Sequence, residues 1–176
     1  MNKRFLGVLL SLVAVSGMQG AGTQTPQVGQ PAPDFTLPSA EGGSVSLKDF
    51  KGKWVVLYFY PKDFTSGCTL EARNFERDLA KYQNQSAIIL GVSADTARSH
   101  KDFCAKEGLN FKLLADPELK AITAYGSAME NDGVKMAARN TFLIDPEGKI
   151  ARVYMGVKPT VHSEEVLKDL AVLKKS

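Results

Sequence analysis

The chain has 176 residues, 44% of them hydrophobic and 23% charged, with 22 Lys+Arg against 19 Asp+Glu and two cysteines. That size and balance suit one globular domain with its own core, and exclude disorder, a collagen-like repeat and a cysteine-stapled scaffold. A net charge of +3 at pH 7, with no Lys/Arg cluster beyond the N-terminus, gives no electrostatic case for nucleic acid.

Residues 1–22 read as a secretory signal peptide: Lys3 and Arg4 precede the apolar run Phe5–Val15, and Ser16–Gly22 is rich in small residues. Eleven apolar residues at about 1.5 Å each fall short of the roughly 30 Å of hydrocarbon that a membrane span must cross. The expected product is exported, periplasmic or extracellular, without stable membrane association once the signal is removed. Its two cysteines then work where disulfides persist. Residues 23–33, with three prolines, read as an extended leader, and residues 34–176 as a single domain.

Within that domain Trp54–Tyr60 is a continuous β-branched and aromatic run, the pattern of a strand buried on both faces, and Pro61 ends it. From about Ser66 to Gln83 the residues Ala72, Phe75, Leu79 and Tyr82 fall on helical spacing. Ala87–Ser93 reads as a second buried strand, Thr96–Glu107 as a helix stopped by Gly108, and Phe111–Ala115 as a short strand. Asp116-Pro117 opens a helix near Glu118–Tyr125 with Pro at its first position. Thr141–Ile144 and Ile150–Met155 flank the turn sequence Asp145-Pro146-Glu147-Gly148, which predicts an antiparallel hairpin. Ser163–Lys174 closes the chain as a helix capped by Ser163, with Val166, Leu167, Leu170 and Leu173 on one face. This order predicts an α/β fold, a central mixed β-sheet flanked by helices, with ligands at the carboxyl edge of the parallel strands.

Cys68 falls at that edge, at the start of the helix after Trp54–Tyr60. Unpaired backbone N–H groups and the helix dipole there favour an anion, so a thiolate is favoured and an oxygen-rich substrate can be held. Thr65 stands three residues earlier and can turn its hydroxyl toward the sulfur; Pro61 is placed to shield the loop from water. A small buried hydrophobe, which most free cysteines are, fits the position equally well.

The run Pro61-Lys62-Asp63-Phe64-Thr65-Ser66-Gly67-Cys68 resembles the Pro-x-x-x-Thr-x-x-Cys signature of the peroxiredoxins. Val28-Gly29-Gln30-Pro31-Ala32-Pro33-Asp34-Phe35 resembles that family's entry segment, Tyr58-Phe59-Tyr60-Pro61 its first core strand, and Arg139-Asn140-Thr141-Phe142-Leu143-Ile144-Asp145 its Arg-bearing strand. With Gly67-Cys68-Thr69 and Glu71-Ala72 the chain is most similar to the peroxiredoxin Q branch, also called bacterioferritin comigratory protein. The resemblance implies a thioredoxin-like fold and a peroxidase in which Cys68 attacks the O–O bond and becomes a sulfenic acid. Thr65 would bond sulfur and peroxide, and Pro61 would pack over the site. Arg139 would stabilise the thiolate and the leaving oxygen, and Glu71 would orient Arg139, unless Glu71 merely lies on a solvated helix face. Phe64 and Ser66 depart from the commonest branch sequences, which have a polar residue and a proline flanking the threonine.

One subgroup carries its resolving cysteine five residues after the first, and here that position is Arg73. A second subgroup carries it on the helix after the second core strand, where this chain has Cys104, 36 residues after Cys68. The resemblance therefore implies an intramolecular Cys68–Cys104 disulfide, reduced by a thioredoxin-like partner, in an enzyme with no metal, haem, flavin or other cofactor and expected to be a monomer. Three other readings stay open at this point: a one-cysteine peroxidase, a permanent structural disulfide, and a non-enzymatic redox sensor or binding protein of thioredoxin fold. His100 and Cys104 lie four apart, but no second close Cys/His pair completes a metal site. His100 reads as a surface residue or a modulator of Cys104, and His162 as a local cap or a solvent-facing side chain.

Overall fold

The computed structural model describes residues 24–175; the residues read as a signal peptide lie outside them. Strand β3 (Trp54–Phe59) occupies the middle of a five-stranded sheet. It pairs in parallel with β4 (Ala87–Ser93), which pairs in parallel with β5 (Lys112–Ala115). On its other side β3 pairs antiparallel with β8 (Asn140–Ile144), and β9 (Ile150–Tyr154) closes that edge, giving the order β5-β4-β3-β8-β9.

Alternation along β3 divides the core between the two faces of the sheet. Val56, Tyr58 and Tyr60 join Phe75 and Tyr82 of α1 (Ser66–Asn84), Phe103 of α2 (Ala97–Glu107), and Val166 and Leu170 of α4 (His162–Leu173). Val55, Leu57 and Phe59 turn the other way, toward Phe35, Leu37 and Leu47 and toward Ile122 of the short α3 (Lys120–Ala124). Tyr58, Phe59, Phe75 and Phe142 are each fully buried, and such a side chain contributes about 2–3 kcal/mol through the area it removes from water. Gly91 of β4 leaves room for this packing, since a Cβ there would meet the Tyr58 hydroxyl at 2.7 Å.

Several elements differ from the sequence reading. β1 (Thr36–Pro38) and β2 (Ser44–Ser46) form a small hairpin followed by a 3₁₀ turn over Leu47–Phe50. β6 (Ala128–Asn131) and β7 (Val134–Ala137) form another. These strands are three or four residues long and mostly exposed, so they carry almost no hydrophobic periodicity to read. Helix α3 is shorter than expected because the Asp116 carboxylate accepts from the N–H groups of Lys120 and Ile122, at 2.9 and 2.8 Å, beyond Pro117. Helix α4 begins one residue early, and Ser163 does not cap it; its hydroxyl donates to buried Asp78 of α1 at 2.8 Å. No helix among the described residues is long and apolar enough to cross a membrane.

Candidate active site

The sheet brings three distant segments to one edge. β3 and β4 run in parallel, so their carboxyl ends deliver the loop into α1 and the start of α2 side by side. β8 runs antiparallel to β3 with Asn140 opposite Phe59, which sets Arg139 at the same edge. Thr65 is the N-cap residue of α1, and Cys68 lies in its first turn, where backbone N–H groups have no intrahelical acceptor.

Cys68 is buried, and Arg139 Nη2 approaches its Sγ at 3.3 Å. The other arm of the guanidinium, Nη1, donates to Glu71 Oε2. A cation held this close stabilises a thiolate, and one planar group with two donors serves the carboxylate and the sulfur together. Gly67 leaves space for this approach, since a Cβ there would lie 3.2 Å from Arg139 Nη2. Burial opposes the charge on Arg139, but Glu71 and the Cys68 sulfur outweigh it and raise its pKa further.

Glu71 is 1% exposed, and its Oε1 has no hydrogen-bond partner. Burial pushes its carboxyl up to about 7, although Arg139 pulls the other way. The folded chain thus holds this proton more tightly than the unfolded chain does. The stability it contributes is present below the ordinary value of 4.5 and is lost as pH rises through about 7. Chemical denaturation of wild type and Glu71→Gln should therefore show wild type losing stability relative to the variant between about pH 5 and about pH 7.5. A constant difference across that range would contradict the assignment.

The Thr65 hydroxyl donates to the Lys62 carbonyl at 2.9 Å, so here it is engaged within its own loop rather than turned to the sulfur. Pro61 is half-buried where β3 gives way to that loop. Phe64 adopts a positive φ of 62°, and its ring packs against Phe103 of α2 with centroids 5.1 Å apart and Lys106 above it. Arg73 pairs with Glu107 at the end of α2, at 2.6 Å.

Cys104 lies half-buried on α2 against the same core cluster as Cys68, and both thiols are free. Burial, with the charges of Asp63, Glu41 and Glu76, pushes the Cys104 thiol up to about 11. The two cysteines are not at disulfide distance in this fold.

Both histidines correct the sequence reading. His100 is fully buried: Nδ1 meets Asp63 Oδ2 at 2.8 Å and Nε2 meets the Leu114 carbonyl at 3.2 Å. Asp63, itself 3% exposed, also accepts from the Tyr60 hydroxyl and the Ser99 hydroxyl, each at 2.7 Å. Burial would raise the Asp63 carboxyl, but the hydrogen bonds from His100, Ser99 and Tyr60 hold it below the usual range. The sequence does carry a signal for His100, which shares a helix face with Phe103 and Cys104 at i+3 and i+4. His162 is likewise buried, between Phe75 and Tyr154, with Nε2 2.8 Å from Thr141 Oγ1. It stands four residues before Val166 and eight before Leu170, on the buried face of α4.

Comparison with known proteins adds a family to this geometry. Residues 28–153 match the AhpC/TSA family. The chain is 42% identical over 151 residues to "Putative peroxiredoxin bcp" of Helicobacter pylori, covering 82% of this chain and 97% of that protein. It is 41% identical over 150 residues to "Peroxiredoxin Bcp" of Bacillus subtilis, covering 83% and 96%. Among solved structures, a cysteine-to-serine mutant of PrxQ from Xylella fastidiosa superposes with a TM-score of 0.82 at 33% identity, covering 86% of this chain and 99% of that one. The bacterioferritin comigratory protein of Xanthomonas campestris, from a study of its alkyl peroxide reduction activity, gives a TM-score of 0.75 at 36% identity, covering 78% and 90%.

Proposed function

The chain belongs to the AhpC/TSA family and is a thiol-dependent peroxidase, and from that premise we propose a two-cysteine cycle in which it reduces hydrogen peroxide and alkyl hydroperoxides. The observation that carries this reading is the placement of Arg139 Nη2 3.3 Å from Cys68 Sγ at the start of α1. Fold class agrees: the mixed sheet flanked by helices is that of thioredoxin-fold peroxiredoxins. Family membership also sets aside the non-enzymatic sensor reading.

In the first step the Cys68 thiolate attacks one peroxide oxygen and the O–O bond breaks. The sulfur, oxidised by two electrons, becomes a sulfenic acid, and the departing alkoxide or hydroxide takes up a proton. Arg139 and the free N–H groups of the first α1 turn stabilise the charge growing on that oxygen. Thr65 would exchange the Lys62 carbonyl for the peroxide, and Pro61 would limit water at the loop. In the second step the Cys104 thiolate attacks Cys68 Sγ, the sulfenic oxygen leaves as water, and the Cys68–Cys104 disulfide forms. A thioredoxin-like dithiol returns two electrons. The resemblance carries alkyl hydroperoxides as substrates, and the Xanthomonas relative, whose structure comes from a study of its alkyl peroxide reduction activity, supports them. An exported monomer is the remaining part of the reading, supported by the N-terminal signal pattern for export and by the resemblance for the monomer.

Intact mass of the reduced protein after one equivalent of hydrogen peroxide, with peptide mapping, tests the cycle. Loss of two hydrogens with Cys68 joined to Cys104 is the expected result; an added oxygen on Cys68 beside a free Cys104 would instead mean a one-cysteine enzyme. The pH dependence of disulfide formation says where Cys104 reacts from. Attack by Cys104 in its buried place would accelerate up to about pH 11. Because a disulfide needs Cα atoms within about 7 Å, the segment must first loosen, so the rate is expected to level off near an ordinary thiol value of about 8.5.

A further inference from the structure

We infer that Asp63 and His100 form a fixed joint between the two cysteine-bearing segments, positioning Cys104 to close the disulfide on oxidised Cys68; this role rests on the two-cysteine cycle proposed above. Asp63 stands five residues before Cys68 and His100 four before Cys104. Their side chains meet at 2.8 Å between the loop into α1 and the first turn of α2.

The joint is firm. The Asp63 carboxylate is satisfied by Tyr60, Ser99 and His100, its backbone N–H donates to Asp95 Oδ2 at 2.9 Å, and His100 Nε2 reaches the Leu114 carbonyl. A buried pair satisfied on all sides holds while less buried structure opens. The turns beyond it are looser. On the Cys68 side come Phe64, a bulky residue in the left-handed region and 46% exposed, and then exposed Thr65 and Ser66. On the Cys104 side Lys101, Asp102, Ala105 and Lys106 are exposed, Phe103 is the buried residue of α2 beyond His100, and Gly108 ends the helix.

Since the thiols are not at disulfide distance, these turns must move to join them. With the joint intact, nine residues of chain separate the cysteines around it: five from Asp63 and four from His100. Without the carboxylate–imidazole contact the nearest remaining tie outside the loosening turns is the hydrogen bond from the Asp63 backbone N–H to Asp95 Oδ2, at 2.9 Å, which leaves about fourteen. Closure probability falls as the three-halves power of length, so losing the joint slows disulfide formation about twofold before any loss of alignment is counted.

The test compares wild type with Asp63→Asn and His100→Gln, singly and together, by rapid quench with thiol alkylation and intact mass. We expect Cys68 oxidation at the wild-type rate and Cys68–Cys104 formation about twofold slower or more. Cys68 sulfinic acid should rise in proportion at a given peroxide excess, and the double variant should be no slower than the worse single. Ser99→Ala and Tyr60→Phe each remove one bond to Asp63 without stranding a charge. They should show the same split in smaller measure, and they decide the matter if the first pair fails to fold. Disulfide formation that is unchanged or faster, or both steps slowed equally, would overturn the joint. A wild type that forms no Cys68–Cys104 disulfide would overturn the cycle and the joint with it.

Discussion

Cys68→Ser is expected to leave peroxide consumption at the background of buffer and dithiol, a loss of roughly 10⁴-fold or more. The reason is chemical rather than structural: a serine oxygen cannot accept an oxygen atom from a peroxide, so no sulfenic acid and no later disulfide can form. The remaining thiol, Cys104, offers no second route, since it lies half-buried and is pushed up to about 11. Serine is close to cysteine in size at a site that is 1% exposed, so the circular dichroism of the variant should match wild type. Peroxide loss followed in the presence of excess dithiothreitol reads the effect directly. Turnover near the wild-type rate in the folded variant would remove Cys68 from the chemistry.

Arg139→Ala is expected to slow the second-order oxidation of Cys68 by about 10²–10³-fold, the usual cost of removing one donor aimed at a developing oxyanion. Two losses combine in it. The sulfur loses the cation at 3.3 Å, and the leaving oxygen loses a donor. The same change strips Glu71 of its partner within a buried setting, which drives that carboxyl further toward its neutral form. A double variant with Glu71→Gln separates the two effects: it should regain the stability lost by Arg139→Ala without regaining the rate. Arg139→Lys should fall between, because one ammonium group cannot reach carboxylate and sulfur with the geometry of a planar fork. An oxidation rate for Arg139→Ala within about threefold of wild type, measured under pseudo-first-order peroxide, would take Arg139 out of the mechanism.

Legibility followed how local each cause is. The run Trp54–Tyr60, the helix from Ser66, the strand Ala87–Ser93 and the hairpin about Asp145–Gly148 all announce themselves through side chains next to one another in sequence. The β1–β2 and β6–β7 hairpins do not, since they are short and take their order from the body of the protein. Phe64 illustrates the same limit: its pattern departure is visible in the sequence, but its contact with Phe103, and hence its direction, belongs to the packing of the loop on α2.

By itself the sequence determined an α/β domain and a cysteine at the start of a helix after a buried strand, with Thr65 within reach, because residue type and short-range period are enough for these; Arg139, Glu71 and Cys104 became candidates only through the motifs that resemble the peroxiredoxins. The tertiary structure gave the expected approach of Arg139 to Cys68 its geometry across 71 residues, and it alone decided that Glu71 is buried rather than solvated and that Asp63 and His100 tie the two cysteine segments together. The physical reason is common to all three. A charged group enters the interior only when hydrogen bonds and opposite charge offset its lost hydration, and those partners arrive from strands and helices far away in the chain.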